Sequence, residues 1–477
     1  MFTFTIALLA LIAGYFFYGK FVEKIFGVDP ARKTPAYTKQ DGVDYIPMPT
    51  WKIFMIQFLN IAGLGPIFGA IMGAKFGTAS YLWIVLGSIF AGAVHDFLAG
   101  MISLRNGGES LPETIGRYLG VNFKQFMRGF TVLLMVLVGA VFVAGPAGLL
   151  AKLTPESLDL SFWATVVFVY YVLATLLPID KIIGKIYPIF AIALIFMAAG
   201  ILFMIFWHHP ALPELTDGIA NTHPDGLPIF PMMFISIACG AISGFHATQS
   251  PLMARCMTNE KYGRPVFYGA MITEGIVALI WAAAANYFFH TEEGSALFAA
   301  GSGNDNAAVI VDSITKEWLG VVGGFLAILG VIAAPITSGD TAFRSARLIV
   351  ADFLRVDQKP ILKRLMISVP LFVAGYIILH ANFSVLWRYF AWCNQTLAVF
   401  TLWALTVYLT QKRKPYVITL IPALFMTAVC STYILIAREG LHLPQELAYW
   451  LGGAVTLFIF VLFLVWRNKY LRRNPTI

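Results

Sequence analysis

Apolar residues run along this chain in long stretches separated by short polar loops. A transmembrane helix needs about 20 consecutive apolar residues. On that rule the spans fall at 3–26, 51–75, 79–103, 125–150, 161–178, 183–207, 229–257, 265–289, 318–350, 363–381, 385–410, 415–436 and 445–466. The pattern predicts an all-α polytopic membrane protein with about 13 transmembrane helices. Two of the stretches are poorly made as helices. In QFLNIAGLGPIFGAIMGAKFG, Gln57 to Gly77, five breakers crowd together: Gly63, Gly65, Pro66, Gly69 and Gly73. Each Gly costs about 1 kcal/mol of helix propensity, and Pro removes a backbone donor. Backbone groups freed in hydrocarbon must be satisfied by protein, water or a ligand, so a broken membrane helix is a place to look for a binding site. Close helix packing through small residues is the competing reading.

The second interruption lies in ISIACGAISGFHATQSPLMARC, where Gly240, Gly244 and Pro251 are interleaved with Ser243, His246, Thr248, Gln249 and Ser250. Polar side chains at this depth are costly unless they face protein, water or ligand. Each broken span is followed by a helix with one buried acid, Asp96 in the first case and Glu274 in the second. Five helices separate the two starts, so the second runs in the opposite sense. That placement is the pattern of a LeuT-like five-helix inverted repeat, whose half-helix ends build the site. The expected organisation is a peripheral N-terminal helix (1–30), a first repeat (51–207), an inverted second repeat (229–410), and two C-terminal helices with a basic tail (411–477).

Composition and charge sharpen this picture. Of the 477 residues, 59% are hydrophobic and 12% charged, against about 25% charged in soluble domains. The net charge of +8 resides in short loops, so it reports membrane orientation and not nucleic-acid binding. Lys181 and Lys185 lie in one basic loop; Arg355, Lys359, Lys363 and Arg364 lie in another. Residues 208–228 contain no Lys or Arg, and residues 290–317 hold one Lys among Glu292, Glu293, Asp305, Asp312 and Glu317. The alternation places the N-terminus outside and the C-terminus in the cytoplasm. The first helix lacks a signal-peptide pattern and reads as retained. Cys239, Cys256, Cys393 and Cys430 show no CxxC spacing and read as small packing residues, so no metal is expected. No loop is long enough for a soluble domain, and no P-loop occurs, which argues against an ATP-driven pump.

The interrupted stretches also carry a resemblance. AGLGPIFGAIMGA (Ala62 to Ala74), FAGAVHDF (Phe90 to Phe97), SLRNGGES (Ser103 to Ser110), GAISGFHATQSP (Gly240 to Pro251) and ITSGDTAFRSARLIVAD (Ile336 to Asp352) resemble the blocks of the carbon starvation protein CstA family. The resemblance covers roughly residues 30–400 and looks like a short form of the family. It implies a bacterial or archaeal inner-membrane carrier of the amino acid–polyamine–organocation superfamily, associated with uptake of peptides and pyruvate and coupled to protons. The family pattern has a pair of histidines before the first glycines, where this chain has Ile56 and Gln57. Its substrate preference is therefore expected to differ.

A small anionic solute in low dielectric needs compensating donors, and half-helix N-termini expose backbone N–H groups with partial positive charge. Gly63, Leu64 and Gly65, with Ser243 and Gly244, are expected to hold a carboxylate or carbonyl; Gln57, Asn60, His246 and Gln249 add side-chain contacts. Proton coupling needs groups that titrate near working pH, and His95, Asp96 and Glu274 are the candidates. For Asp96 and Glu274 the competing reading is a buried structural carboxylate. Thr337, Ser338, Asp340 and Thr341 lie within one to two helical turns. In LeuT-like carriers the matching helix supplies hydroxyls to a sodium site, so Na⁺ is the alternative coupling ion. Lys185 offers an ammonium at the same place, as in a proton-coupled relative. Asp340 and Arg344, four residues apart, read as a helix ion pair. Arg105, Arg347 and Asp352 are expected at the cytoplasmic mouth. Trp387, Tyr389 and Trp392 read as an interfacial belt, with Asn394 and Gln395 completing the cavity or tying helices together.

The function expected is a secondary active transporter importing a small carboxylate-bearing nutrient (pyruvate, an amino acid or a short peptide) by proton symport. Its partners are that solute, a proton or Na⁺, and the bilayer. No cofactor, enzymatic activity or nucleic acid is expected, and the oligomeric state stays open. Two rivals stand below it. A membrane-embedded metal-dependent protein would use His95, Asp96 and His246, although no HExxH or GxSxG occurs. A channel would ordinarily be a smaller oligomer. Replacing Gly65 with Leu is expected to abolish uptake while the protein still reaches the membrane; normal uptake by that variant would refute the site.

Overall fold

The computed structural model describes residues 1–176, 183–299, 307–381 and 383–474. Lys181, Asp305, the end of the 161–178 span and the last three residues of the tail lie outside them. Among the described residues the chain is all-helical, with no strand. Among the described residues nine helices are long and apolar enough to cross a membrane, or ten if the bent pair is one span, against the about 13 expected. In chain order they begin with α1 (Phe2–Phe26), the bent pair α2 (Thr50–Ile61) and α3 (Gly65–Ala74), and α4 (Ala79–Arg105). Then come α5 (Val121–Leu153), α6 (Leu160–Leu176) and α7 (Ile183–His208). The second broken segment supplies the single turn α8 (Phe234–Ser236) and α9 (Gly244–Ala254). After it follow α10 (Glu260–Phe288), α11 (Ala307–Ala327) and α12 (Ala333–Leu354). The chain ends with α13 (Ile361–Leu379), α14 (Phe383–Gln411), α15 (Val417–Ile436) and α16 (Gln445–Arg473).

The differences from the expected spans have local causes. The 161–178 stretch forms the short helix α6. The 229–257 stretch does not form one helix, because residues 237–243 leave helical geometry. The 318–350 stretch is split between α11 and α12 by a π-helical turn at Ile328–Ile332. Burial then sorts the helices. α10 is almost wholly buried, whereas α1, α13 and α16 expose most of their apolar surface. In a membrane protein an exposed apolar face meets lipid.

Loops gather on two opposite faces. On one, Arg105 donates to Glu260 and to the Gly27 carbonyl, Lys39 to the Gly107 carbonyl, and Lys414 to the Ile25 and Phe26 carbonyls. On the other, the Met1 ammonium pairs with Glu214, Thr78 donates to the Gly218 carbonyl, and Thr222 donates to the Lys75 carbonyl. The Asn474 carbonyl, which accepts from Arg413, lies on the first face. The basic loops are thus gathered on one side of the bundle and the acidic 209–228 loop on the other.

The two breaks meet at the centre. α2 and α3 cross at 53°. Gly65, Gly69 and Gly73, spaced four apart, put one face of α3 flat against the second break. A Cβ on Gly65 would lie 2.3 Å from the Cys239 side chain, one on Gly69 2.7 Å from the Ser236 carbonyl oxygen, and one on Gly73 2.1 Å from Ile237. A larger residue at Gly69 meets backbone, and one at Gly65 or Gly73 displaces the Cys239 or Ile237 side chain. Close packing and helix breaking are therefore the same feature, not alternatives. Around this contact α3 packs on α10, and α9 packs on α4 and α2. Each broken helix thus lies against the acid-bearing helix of the other half.

Candidate functional site

Breaking a helix in an apolar interior frees carbonyls and N–H groups that must be paired. At the first break, the Ala62 N–H bonds the Phe58 carbonyl, and the Gly63 N–H turns back to the Ile61 carbonyl at 2.9 Å. The Leu59 carbonyl accepts from Ser338 Oγ on α12 at 3.0 Å. At the second break, Trp83 Nε1 donates to the Ile237 carbonyl at 3.2 Å and Ser88 Oγ to the Gly240 carbonyl at 3.0 Å, both from α4. The N-terminus of α9 is capped from α14. Asn394 Oδ1 accepts from the Phe245 N–H at 2.7 Å and from Ser243 Oγ at 3.0 Å. The Ser243 hydroxyl, expected to reach a ligand, is therefore engaged with Asn394. Of the two readings of Asn394, the helix tie is the one seen.

The acids converge on His246. Asp96 Oδ1 lies 2.7 Å from His95 Nδ1, and Asp96 Oδ2 lies 2.9 Å from His246 Nδ1. On its other edge, His246 Nε2 lies 3.4 Å from Glu274 Oε2. All four residues are fully buried. The three residues of the metal rival, His95, Asp96 and His246, do meet in space, but as a carboxylate accepting from two imidazoles. A ligand set of a different composition lies beside them. The ligand atoms of Cys239, His246 and Glu274 all fall within 4.8 Å of one another. The spacing of Cys239, His246 and Glu274 along the chain does not announce this grouping, which arises where the second break lies against α10, a Cβ on Gly240 reaching to 2.5 Å from Ala278.

A second buried carboxyl lies between α7 and α12. Asp340 Oδ2 accepts from Tyr187 Oη at 2.7 Å. Thr337 and Thr341 hydroxyls bond back to their own helix, to the Ala334 carbonyl and to the Thr337 and Ser338 carbonyls. Lys185 is exposed at the start of α7. The group that α7 delivers to Asp340 is the Tyr187 hydroxyl, not the Lys185 ammonium. Tyr187 carried no sequence signal, since a tyrosine in an apolar run reads as core. Arg344 makes a contact far from its own helix: its Nη1 reaches Asp44 Oδ1 at 3.3 Å, and Nη2 donates to the Ala174 carbonyl.

Asp44 itself lies at one end of the bundle, on the face of the basic loops. It is buried in the loop before α2, and Arg347 Nη2 also reaches its Oδ1, at 3.4 Å. Burial pushes the Asp44 carboxyl up, but the guanidiniums of Arg347, Arg344 and Arg255 outweigh it and hold the group below its ordinary value. Arg347 also donates to Gln358, while Asp352 is exposed. At the other end a cavity of about 650 Å³ opens beside the acidic loop, lined by Met72, His223, Ile235, Trp387 and Tyr433. Trp387 is 5% exposed, so it lines this vestibule and is not part of a lipid-facing belt. Trp392 Nε1 donates to the Cys430 carbonyl, and Tyr389 keeps 39% of its surface exposed.

Several buried amides near the breaks have no protein partner among the described residues. Both polar atoms of Gln57, Asn60 and Gln395 are in this state, as are Trp281 Nε1 and Gln249 Oε1. Gln249 Nε2 donates to Thr248 and Ser345. An unmade hydrogen bond on a buried group costs about 1–3 kcal/mol, so each of these unpartnered amides calls for a ligand or water.

Comparison with known proteins agrees with the family reading. The sequence model described as "Carbon starvation protein CstA" matches residues 1–156, 151–316 and 282–433. A membrane protein of Haemophilus influenzae is 45% identical over 57% of this chain and 86% of its own length. A Bacillus subtilis protein named peptide transporter CstA is 26% identical over 96% of this chain and 94% of its own. An Escherichia coli protein named pyruvate/proton symporter BtsT is 29% identical over 58% of this chain and 47% of its own, so the match spans about half of that protein. Among solved structures, a manganese transporter of Eremococcus coleocola superposes with a TM-score of 0.58 at 13% identity, over 91% of this chain and 99% of that one. That likeness is one of fold.

Replacing Asn394 with Leu strands the Phe245 N–H and the Ser243 hydroxyl at the start of α9. A loss of about 1–3 kcal/mol is expected, read as a lowered melting temperature of the purified protein in detergent. An unchanged melting temperature would show that the cap contributes nothing.

Proposed function

Because the chain belongs to the carbon starvation protein CstA family, a family of membrane transporters, we propose that it imports a small carboxylate-bearing nutrient (pyruvate, an amino acid or a short peptide) by proton symport and alternating access. The observation that carries this reading is that the buried side-chain amides of Gln57 and Asn60, on the helix that ends at the first break, have no hydrogen-bond partner among the described residues, as is also true of Gln395, next to the Asn394 that caps the second break. Amide N–H groups and helix-break dipoles suit a carboxylate or a peptide carbonyl. Gln57 stands where the family pattern has histidine, so it is the residue that sets this member's substrate preference.

The reciprocal packing of α3 on α10 and α9 on α4 supports a LeuT-like inverted repeat, in which two halves move against each other. Alternating access is supported by the ends of the bundle. The vestibule is open beside the acidic loop, while Asp44 with Arg344 and Arg347 seals the face of the basic loops. Opening the sealed face means drawing Asp44 away from both arginines. The positive-inside rule makes that face cytoplasmic.

Asp340 carries the coupling proton in this reading. Its Oδ1 has no protein partner among the described residues, and its Oδ2 accepts from Tyr187. Protonated, the carboxyl is neutral; ionised, it needs water or a cation at this depth. Two residues away, Ser338 grips the Leu59 carbonyl of the first broken helix. The proton state of Asp340 is thereby tied to the position of α12 against α2.

The test is uptake of labelled pyruvate and of a dipeptide into proteoliposomes under separate proton and sodium gradients. The expected result is accumulation driven by the proton gradient. Asp340→Asn is expected to keep counterflow exchange but lose gradient-driven accumulation. Accumulation by that variant with unchanged pH dependence, or accumulation driven by sodium alone, would overturn the coupling role.

A further inference from the structure

We propose that Cys239, His246 and Glu274 bind a divalent transition-metal ion of the zinc class at the second helix break. The coupling step proposed above runs through Asp340 and uses none of these three groups. Their ligand atoms already lie within 4.8 Å of one another, with His246 Nε2 and Glu274 Oε2 at 3.4 Å. A tetrahedral zinc with bonds of about 2.0–2.3 Å holds its ligand atoms about 3.3–3.8 Å apart. One short contraction therefore completes the set.

The surroundings are wired for ligation. His246 Nδ1 faces Asp96 Oδ2 at 2.9 Å, and donation there leaves the Nε2 lone pair for a metal. A carboxylate on the far nitrogen of a ligating histidine is the usual support of such sites. His95 Nδ1, at 2.7 Å from the other Asp96 oxygen, holds that carboxylate in place. The sulfur accepts from Asn394 Nδ2 at 3.6 Å, which suits a thiolate, and in its thiol form donates to Ser243 Oγ at 3.7 Å. The edges turned toward the ion are unpartnered: His246 Nε2 and both Glu274 oxygens have no hydrogen-bond partner among the described residues, and both residues are fully buried. Gly65 packs on the Cys239 side chain with no room for a Cβ, so the first break holds the thiol against the other two ligands.

Sulfur, imidazole and carboxylate together favour zinc, cobalt or iron over magnesium and calcium. Binding is simple ligation. The Cys239 S–H bond breaks, its proton passes to solvent, and the metal–sulfur bond forms with no redox change. Three protein ligands leave a fourth position for water or a carrier substrate's own oxygen.

The test uses the full chain purified in detergent, stripped with chelator, and equilibrated with Zn²⁺ or Co²⁺ in excess magnesium and calcium. The expected results are one zinc retained per chain by elemental analysis, a sulfur scatterer in zinc X-ray absorption, and a thiolate-to-cobalt charge-transfer band in the near ultraviolet. Cys239→Ser is expected to remove the band, Cys393→Ser to keep it, and Asp96→Asn to weaken zinc binding about 10- to 100-fold. Absence of bound zinc in the unmodified chain, or bound zinc with no sulfur neighbour, overturns the proposal even if every variant fails to fold. Persistence of the band in Cys239→Ser overturns it as well. The proton-gradient assay on Asp340→Asn runs in chelator, so the two readings fail independently.

Discussion

Everything at the centre of this protein depends on satisfying backbone groups in an interior that offers no water. Two helices are broken there, and each break frees carbonyls and N–H groups that hydrocarbon cannot pair. The breaks survive because they lie against each other and against side chains sent to cap them. Ser338 takes the Leu59 carbonyl, Trp83 and Ser88 take the Ile237 and Gly240 carbonyls, and Asn394 takes the start of α9. The contact itself is steric. Gly65, Gly69 and Gly73 bring the α3 backbone so close that a Cβ would displace the Cys239 or Ile237 side chain or strike the Ser236 carbonyl. The glycines that weaken the helix are thus the ones that let its broken end be stabilised.

With the breaks secured, buried polar chemistry divides between two places. The Asp96 carboxylate organises two imidazoles and points one of them at Glu274 and Cys239. Asp340 has a single tyrosine hydroxyl and sits beside the hydroxyl that holds α2. The first set is densely contacted and resembles a ligand sphere. The second is sparsely bonded and placed where a change of charge bears on a movable element. Their wiring differs more than their composition does.

The ends of the bundle are treated unequally. Asp44 draws two arginines of α12 under the loop that leads into α2, whereas the opposite end keeps a cavity of about 650 Å³. Ion pairs of this kind are poor sources of net stability, because desolvation offsets attraction. Their value lies in being breakable as a unit.

How much of this was legible beforehand follows from what each feature depends on. The membrane-crossing character, the two breaks, the acids that follow them and the family blocks are set by local composition, because twenty apolar residues or a run of glycines mean the same thing in any fold; the 229–257 and 318–350 stretches, expected as single spans, are interrupted by their packing. Gln57, Asn60, His246, Asp96 and Glu274 stood out because polar groups are expensive in apolar stretches. The partners did not. Tyr187, Trp83 and Cys239 look like ordinary core residues until another helix is beside them, and Lys185 looked functional until its exposure on α7 was known. Asp44 and Arg344 are separated by 300 residues, and nothing in either neighbourhood announces the pair. Local composition is enough to show a chain that crosses a membrane with two broken helices, each followed by a helix bearing a buried acid. Which donor meets which acceptor emerges on folding, because side-chain partners across helices are chosen by packing geometry and not by spacing along the chain.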